Sequence, residues 1–261
     1  MKINEYYRDT ANISLNGSIA ALVPTILIIG GNISFFQKKE IMLLSIPFLV
    51  YSLLGFQIYL FRLNQSISIG KNIKKTKSLY QSIFNAKQLL VVYLNTQNPR
   101  LLLYFPDGHQ AGEIKKYREK GFKIFGFTKT FALYNFHDQV IGFFKVKGKK
   151  HLKIEIYDRD NVYLGCYEKK KVAWRKQKKE WLDASGRYIG AVEGSTFFMD
   201  EHLLDNSNRQ VGRLRRGWMP LEWSPIFPEP NTPVLSFWEG LSEVDKLVRM
   251  SFLINEYFIE R

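Results

Sequence analysis

The sequence predicts a mainly β protein on a membrane anchor. A two-helix transmembrane hairpin leads into about ten to twelve antiparallel strands. That number closes into a barrel or splits into a sandwich, and the buried C-terminal helix points to a closed barrel around it. Three observations predict it. Two long apolar runs without a charge fall within the first 61 residues. A hairpin grammar then recurs five times, and the chain ends in a helix that is apolar on most of its circumference.

The anchor comes first. Residues 18–36 read SIAALVPTILIIGGNISFF and residues 41–61 read IMLLSIPFLVYSLLGFQIYLF, both free of charge. At the helical rise they span roughly 28 and 31 Å, the thickness of a bilayer's hydrocarbon core. Only Gln37, Lys38, Lys39 and Glu40 separate them, so they are antiparallel neighbours. Pro24 and Pro47 are tolerated where a neighbouring helix or hydroxyl re-satisfies the backbone, and Gly30 with Ser34 has the spacing of a close helix contact. A cleaved leader is the competing reading. Against it stand Glu5 and Asp9 beside Lys2 and Arg8, and a second full span that begins at once. Lys38 and Lys39 at the tip face seven cations on the other side: Lys2, Arg8, Arg62, Lys71, Lys74, Lys75 and Lys77. The positive-inside rule then puts both termini and the soluble domain in the cytoplasm, as an integral cell-membrane protein.

Residues 62–87 are a basic, helical juxtamembrane linker. Ile69, Ile73, Tyr80 and Phe84 fall near helical spacing among its lysines. It reads either as an amphipathic helix on an anionic leaflet or as a stop signal followed by a plain linker. Beyond residue 61 the chain holds 34 Lys/Arg against 21 Asp/Glu, out of a whole-chain net charge of +14. That excess suits an anionic partner, lipid headgroups before nucleic acid, or is solubilising charge. The single cysteine, Cys166, excludes an internal disulfide and a Cys-based metal cluster.

From residue 88 the pattern alternates. LLLYFPDGHQAGEI (101–114), FALYNFHDQVIGFFKV (131–146), IEIYDRDNVYLGCYE (154–168), WLDASGRYIGAVEG (181–194) and HLLDNSNRQVGRL (202–214) share one form. An apolar run meets an Asp/Asn turn, and a late glycine (Gly112, Gly142, Gly165, Gly190, Gly212) enters the next strand. Asn and Gly accept positive φ, Asp caps the turn, and the late glycine suits a bulge or a close backbone approach. The C-terminal helix spans 242–260, opened by Ser242 with Asp245 three residues on. It is too short and too charged for a third span.

IYDRDNVYLGCYEK, WLDASGRYIGAVEG and the terminal DKLVRMSFLINEYFIER resemble the tubby C-terminal-like superfamily: tubby domains, phospholipid scramblases and LURP-one-related proteins. The resemblance covers residues 88–261. It implies a twelve-stranded closed barrel around a central hydrophobic C-terminal helix and a non-enzymatic role. Tubby domains bind phosphoinositides, and scramblases are linked to lipid movement and calcium. No motif here matches the tubby phosphoinositide pocket, and two N-terminal spans replace the scramblase's C-terminal membrane segment.

Candidate sites follow from charge. Lys169, Lys170, Lys171, Arg175, Lys176, Lys178 and Lys179 surround Trp174. They read as an anionic-lipid contact, as a single-strand nucleic-acid contact stacking on Trp174, or as a solvated strand pair. Arg213, Arg215 and Arg216 offer bidentate phosphate donors, with Arg213 and Arg215 on one strand face and Arg216 on the other. Asp158 and Asp160 invite calcium, but the turn explains them and no oxygen-rich loop accompanies them. The four histidines are scattered, Cys166 reads as a small buried hydrophobe, and GxSxG, P-loop and GxGxxG motifs are missing. No catalytic residue, metal ligand or cofactor is expected. The expected function is a membrane-anchored, non-enzymatic domain that binds anionic lipid headgroups or a partner at the cytoplasmic face. The alternative is a protein-interaction or immunity-type membrane protein with no specific lipid ligand.

Overall fold

The computed structural model describes residues 2–73, 82–117, 129–148, 151–173, 176–195, 200–217 and 219–260. The chain divides into two compact units, Met1–Lys77 and Ser78–Arg261.

The first unit is a helical hairpin of α1 (Ile3–Gly31), α2 (Lys39–Leu43) and α3 (Ile46–Ile73). Two helical stretches, Ile3–Phe35 and Lys39–Ile73, are long and apolar enough to cross a membrane. Both run well beyond the uncharged segments 18–36 and 41–61. The reason is a shared stripe. Ile3, Tyr7, Ala11, Ser18, Ala21 and Thr25 are buried along α1, and Ser52, Ser66, Ile69 and Ile73 along α3. Steps of three and four residues are those of left-handed antiparallel packing. Ser18 donates to the Ser52 carbonyl at 2.8 Å, and Ser66 to the Asn4 carbonyl at 2.8 Å. Gly55 is the close-approach glycine: a methyl there would lie 3.2 Å from Ser18 Cβ. Gly30 is not, because nothing lies within 4 Å of its Cβ direction. Beside Pro24, the Thr25 hydroxyl bonds the Ala21 carbonyl. The tip turns through Gln37 at φ 49°, with Lys38 N–H on Asn32 Oδ1. Residues 62–73 therefore continue α3 without a break.

The second unit is a closed antiparallel barrel of twelve strands, each hydrogen-bonded to its sequence neighbours, with the last closing on the first. The strands are β1 Gln88–Leu94, β2 Arg100–Tyr104, β3 Gln110–Lys116, β4 Lys129–Asn135, β5 Val140–Lys147, β6 Leu152–Asp158, β7 Tyr163–Ala173, β8 Lys176–Asp183, β9 Tyr188–Ser195, β10 Asp200–Asp205, β11 Gln210–Arg215 and β12 Val234–Phe237. The five repeats are the hairpins β2–β3, β4–β5, β6–β7, β8–β9 and β10–β11. Each turn places a residue at positive φ: Gly108, Asp138, Asn161, Gly186 and Asn208. Each hairpin then slips register by one residue just before its late glycine. That is the three-residue turn with a bulge. At Gly190 the reason for glycine is plain, since φ is 154° and a methyl would run into the Leu204 carbonyl.

Alternate strand residues such as Leu103, Phe144, Ile156, Trp181 and Leu203 form one buried cluster with Leu247, Val248, Phe252 and Leu253 of the C-terminal segment. Ile83 and Ala86 join it, so the stretch read as linker up to residue 87 ends within the barrel unit. The terminal helix is three pieces rather than one: α4 Glu243–Met250, α5 Phe252–Ile254 and a π-helical turn, Asn255–Ile259. Ser242 caps α4 by accepting from Asp245 N–H. At the first break Ser251, fully buried, donates to the Val248 carbonyl and accepts the Trp181 indole N–H at 3.1 Å. The proline-rich segment 224–233 is docked: Phe227 is buried, its ring 6.2 Å from that of Tyr104.

Candidate functional site

The two ends of the barrel differ. One end carries the five tight turns. There Asp158, Asp183 and Asp205 each accept two backbone N–H bonds from their own turn at 2.8–2.9 Å, and Asn135 does the same. The Ser185 hydroxyl and the Arg187 N–H hold the Asp183 carboxyl down to about 2. The calcium reading of Asp158 gives way to this turn geometry. Cys166 is buried, as the sequence indicates, and burial pushes its thiol up.

The opposite end gathers the cations picked out from sequence, and strand alternation sorts them. Lys169 and Lys179 are register partners on β7 and β8. Each sits two residues from a buried aromatic, Tyr167 or Trp181, and so shares the core-facing side. Lys179 Nζ lies 3.0 Å from Glu201 and 2.7 Å from Glu256, with Glu260 at 4.0 Å. Lys169 pairs with Glu260. Arg216 reaches Glu256 at 3.4 Å while its guanidinium lies 5.2 Å from the Tyr257 ring centre. The outward set is paired too: Lys170 with Glu168 and Lys178 with Glu180 along their own strands, and Arg213 with Asp200 across to β10. Lys171 is exposed. Arg215 shares the outward face of β11 with Arg213, and Arg216, just past the strand, takes the other side toward Glu256.

Trp174 and Arg175 lie outside the described residues, as do Lys74, Lys75 and Lys77; of Lys176 only the backbone, in β8, is described. Arg62 stacks over the Tyr7 ring at 5.5 Å within the hairpin, and Lys71 is exposed on α3.

The core-facing charges form a network the sequence reading missed, because its acids come from positions 201, 256 and 260. One signal was available: alternation from Trp181 places Lys179 inward, where a lysine needs a counter-charge. Burial, reinforced by the Glu256 charge, raises the Glu201 carboxyl. Burial also opposes ionisation of Glu256, but Lys179 outweighs it and lowers that carboxyl. Lys169 is pushed down by burial and by the Lys179 charge, whereas the two glutamates raise Lys179 against its own burial. Tyr167, buried against Glu256 and Glu201, is raised. Its hydroxyl and Glu201 Oε2 are buried without a hydrogen-bond partner among the described residues. Chemically the arrangement can hold anionic oxygens. Among the described residues, no group of three or more His, Cys, Asp or Glu is placed to hold a metal ion.

No family model matches the chain, and no curated protein matches it. A solved X-ray structure of a protein from Arabidopsis thaliana is similar over 67% of this chain and 91% of that one, with 13% identity and a TM-score of 0.41. A likeness of that size carries no argument about function.

Proposed function

We propose that this chain is a membrane-anchored, non-enzymatic tubby-like protein whose barrel, filled by its own C-terminal helix, engages anionic lipid headgroups at the cytoplasmic face. The observation that carries this reading is the polarity of the barrel. The tight-turn end uses its aspartates on its own backbone. The other end turns Lys170, Lys171, Lys178, Arg213 and Arg215 outward and keeps Lys169, Lys179 and Arg216 on the core-facing side. On a chain with two helices able to cross a bilayer, such an end meets the negative potential of an inner leaflet, worth about 1 kcal/mol per cation at the surface. The hairpin charge count supports a topology with both termini on that side.

The test compares the full chain in nanodiscs of phosphatidylcholine with nanodiscs that also contain phosphatidylserine. Slower amide exchange along β7, β8 and β11 in the anionic discs supports lipid engagement. Identical exchange in both removes it. Topology is checked by labelling single cysteines introduced at Lys39 and Lys2 in intact cells: an impermeant reagent should reach only the first.

One observation favours a second reading, a protein-interaction or immunity-type membrane protein. Lys170, Lys178 and Arg213 already have carboxylate partners. Their charge is then neutralised within the sheet rather than left for lipid, and a protein partner that stays bound through high salt supports this reading.

A further inference from the structure

We propose that Lys169, Lys179 and Arg216 form a phosphate-binding site whose ligand place is held, in this structure, by the carboxylates of Glu256 and Glu260. The C-terminal π-helical turn is then a built-in stand-in for the ligand, and its release opens the site. This deepens the anionic-lipid reading and rests on it.

The barrel wall supplies the cations. Lys169 and Lys179 face the core from adjacent strands, Arg216 follows β11, and Glu201 is the one carboxylate that the strands contribute to this cluster among the described residues. The wall alone therefore carries a positive surplus. The surplus is met by a different element, the last turn of the chain. Glu256 bonds Lys179 and approaches Arg216, and Glu260 pairs with Lys169. Glu256 and Glu260 together thus give three cations the negative charge that one phosphate monoester would supply.

Two features mark this filling as replaceable. The first is under-use. The two ammonium groups and the guanidinium offer roughly eleven N–H donors, yet Arg216 makes one long contact at 3.4 Å instead of a fork, and Lys179 reaches Glu260 only at 4.0 Å. The second is an orphaned donor. Tyr167 is fully buried and its hydroxyl has no hydrogen-bond partner among the described residues. A phosphate oxygen would accept from the Tyr167 hydroxyl, which a buried phenol otherwise leaves unmade at a cost. The element that would leave is suited to it. Asn255–Ile259 is a π-helical turn, a rare geometry that is frequent at functional sites, and the Glu260 side chain is 31% exposed at its end.

The experiment uses the full chain in neutral detergent, titrated with dioctanoyl phosphatidic acid in one arm and inorganic phosphate in the other. Affinity is read by calorimetry, and hydrogen exchange is followed over residues 255–260. The proposal expects Glu256→Gln with Glu260→Gln to bind at least tenfold more tightly than the parent in one or both arms. Ligand should speed exchange at the C-terminal turn of the parent. Binding in the lipid arm alone assigns a lipid headgroup; equal binding in both assigns a free phosphate. Should the double variant unfold, Glu260→Gln alone serves, since it leaves Glu201 and Glu256 on Lys179, and it should gain at least threefold. Parent and variants binding equally, with unchanged exchange, would overturn the gated site and leave the lipid reading standing. Binding by none of them would overturn both.

Discussion

At the tight-turn end of the barrel Asp158, Asp183 and Asp205 each turn one oxygen onto two N–H groups of their own loop, so every bond spans two to four residues. At the opposite end Lys179 draws its partners from 22 and 77 residues away. Acidic side chains do the work at both ends, but the first set acts locally on the backbone and the second acts across the fold on buried cations. Local use is tolerant, because each turn stands alone. Network use is not, because removing one member leaves the others charged in a poorly hydrated place.

The largest effect therefore belongs to the network. Lys179→Met leaves Glu201 without its cation and Glu256 with only its 3.4 Å contact to Arg216, and should cost about 3–5 kcal/mol in urea unfolding of the barrel. Adding Glu201→Gln should restore a measurable part of it. A loss under about 1 kcal/mol would mean that the cluster is solvated and that the contrast between the ends is false.

The same contrast explains what could be read in advance. The five hairpins were legible because positive-φ tolerance and Asx capping are properties of single residues at fixed offsets; the glycines at 112, 142, 165, 190 and 212 all fall at register slips. The lysine run 169–179 was legible as charge but not as two faces. Its acids lie on β10 and on the C-terminal turn, and no local spacing joins them. The hairpin packing was missed for another reason. In an all-apolar segment hydrophobicity marks no face, and the contact is written in small residues, Ser18, Ser52 and Gly55, rather than at Gly30.

Next in size is Gly190→Ala, about 3 kcal/mol by thermal unfolding, since the methyl meets the Leu204 carbonyl on a paired strand that cannot retreat. It sharpens the comparison by locating where the tolerant turn ends and the constrained sheet begins.

A smaller effect is the pH dependence of Glu201. Its carboxyl is raised in the fold, so its contribution to stability is whole below the unfolded pKa and is lost as pH rises through the folded value. Glu256 runs the other way: its lowered carboxyl stabilises above the unfolded pKa and loses that contribution as pH falls through its folded value. Glu201→Gln should therefore leave melting unchanged at acid pH and raise it progressively toward neutral and alkaline pH. A drop that grows as pH rises would show instead that the ionised Glu201 is needed for the Lys179 pairing.

The smallest effect tests the claim that the turns are encoded one residue at a time. Gly186 sits at φ 82° with open space around its Cβ direction, and the equivalent positions of two other hairpins hold Asn161 at φ 63° and Asn208 at φ 58°. Gly186→Asn should thus change stability by no more than about 0.5 kcal/mol, because asparagine accepts the left-handed region and no neighbour has to move. Gly186→Val, in the same open space, should cost about 1–2 kcal/mol from backbone strain alone. If asparagine proved as costly as valine in parallel urea titrations, the turn would depend on something beyond its own φ. The local end of the barrel would then be as interdependent as the charged one.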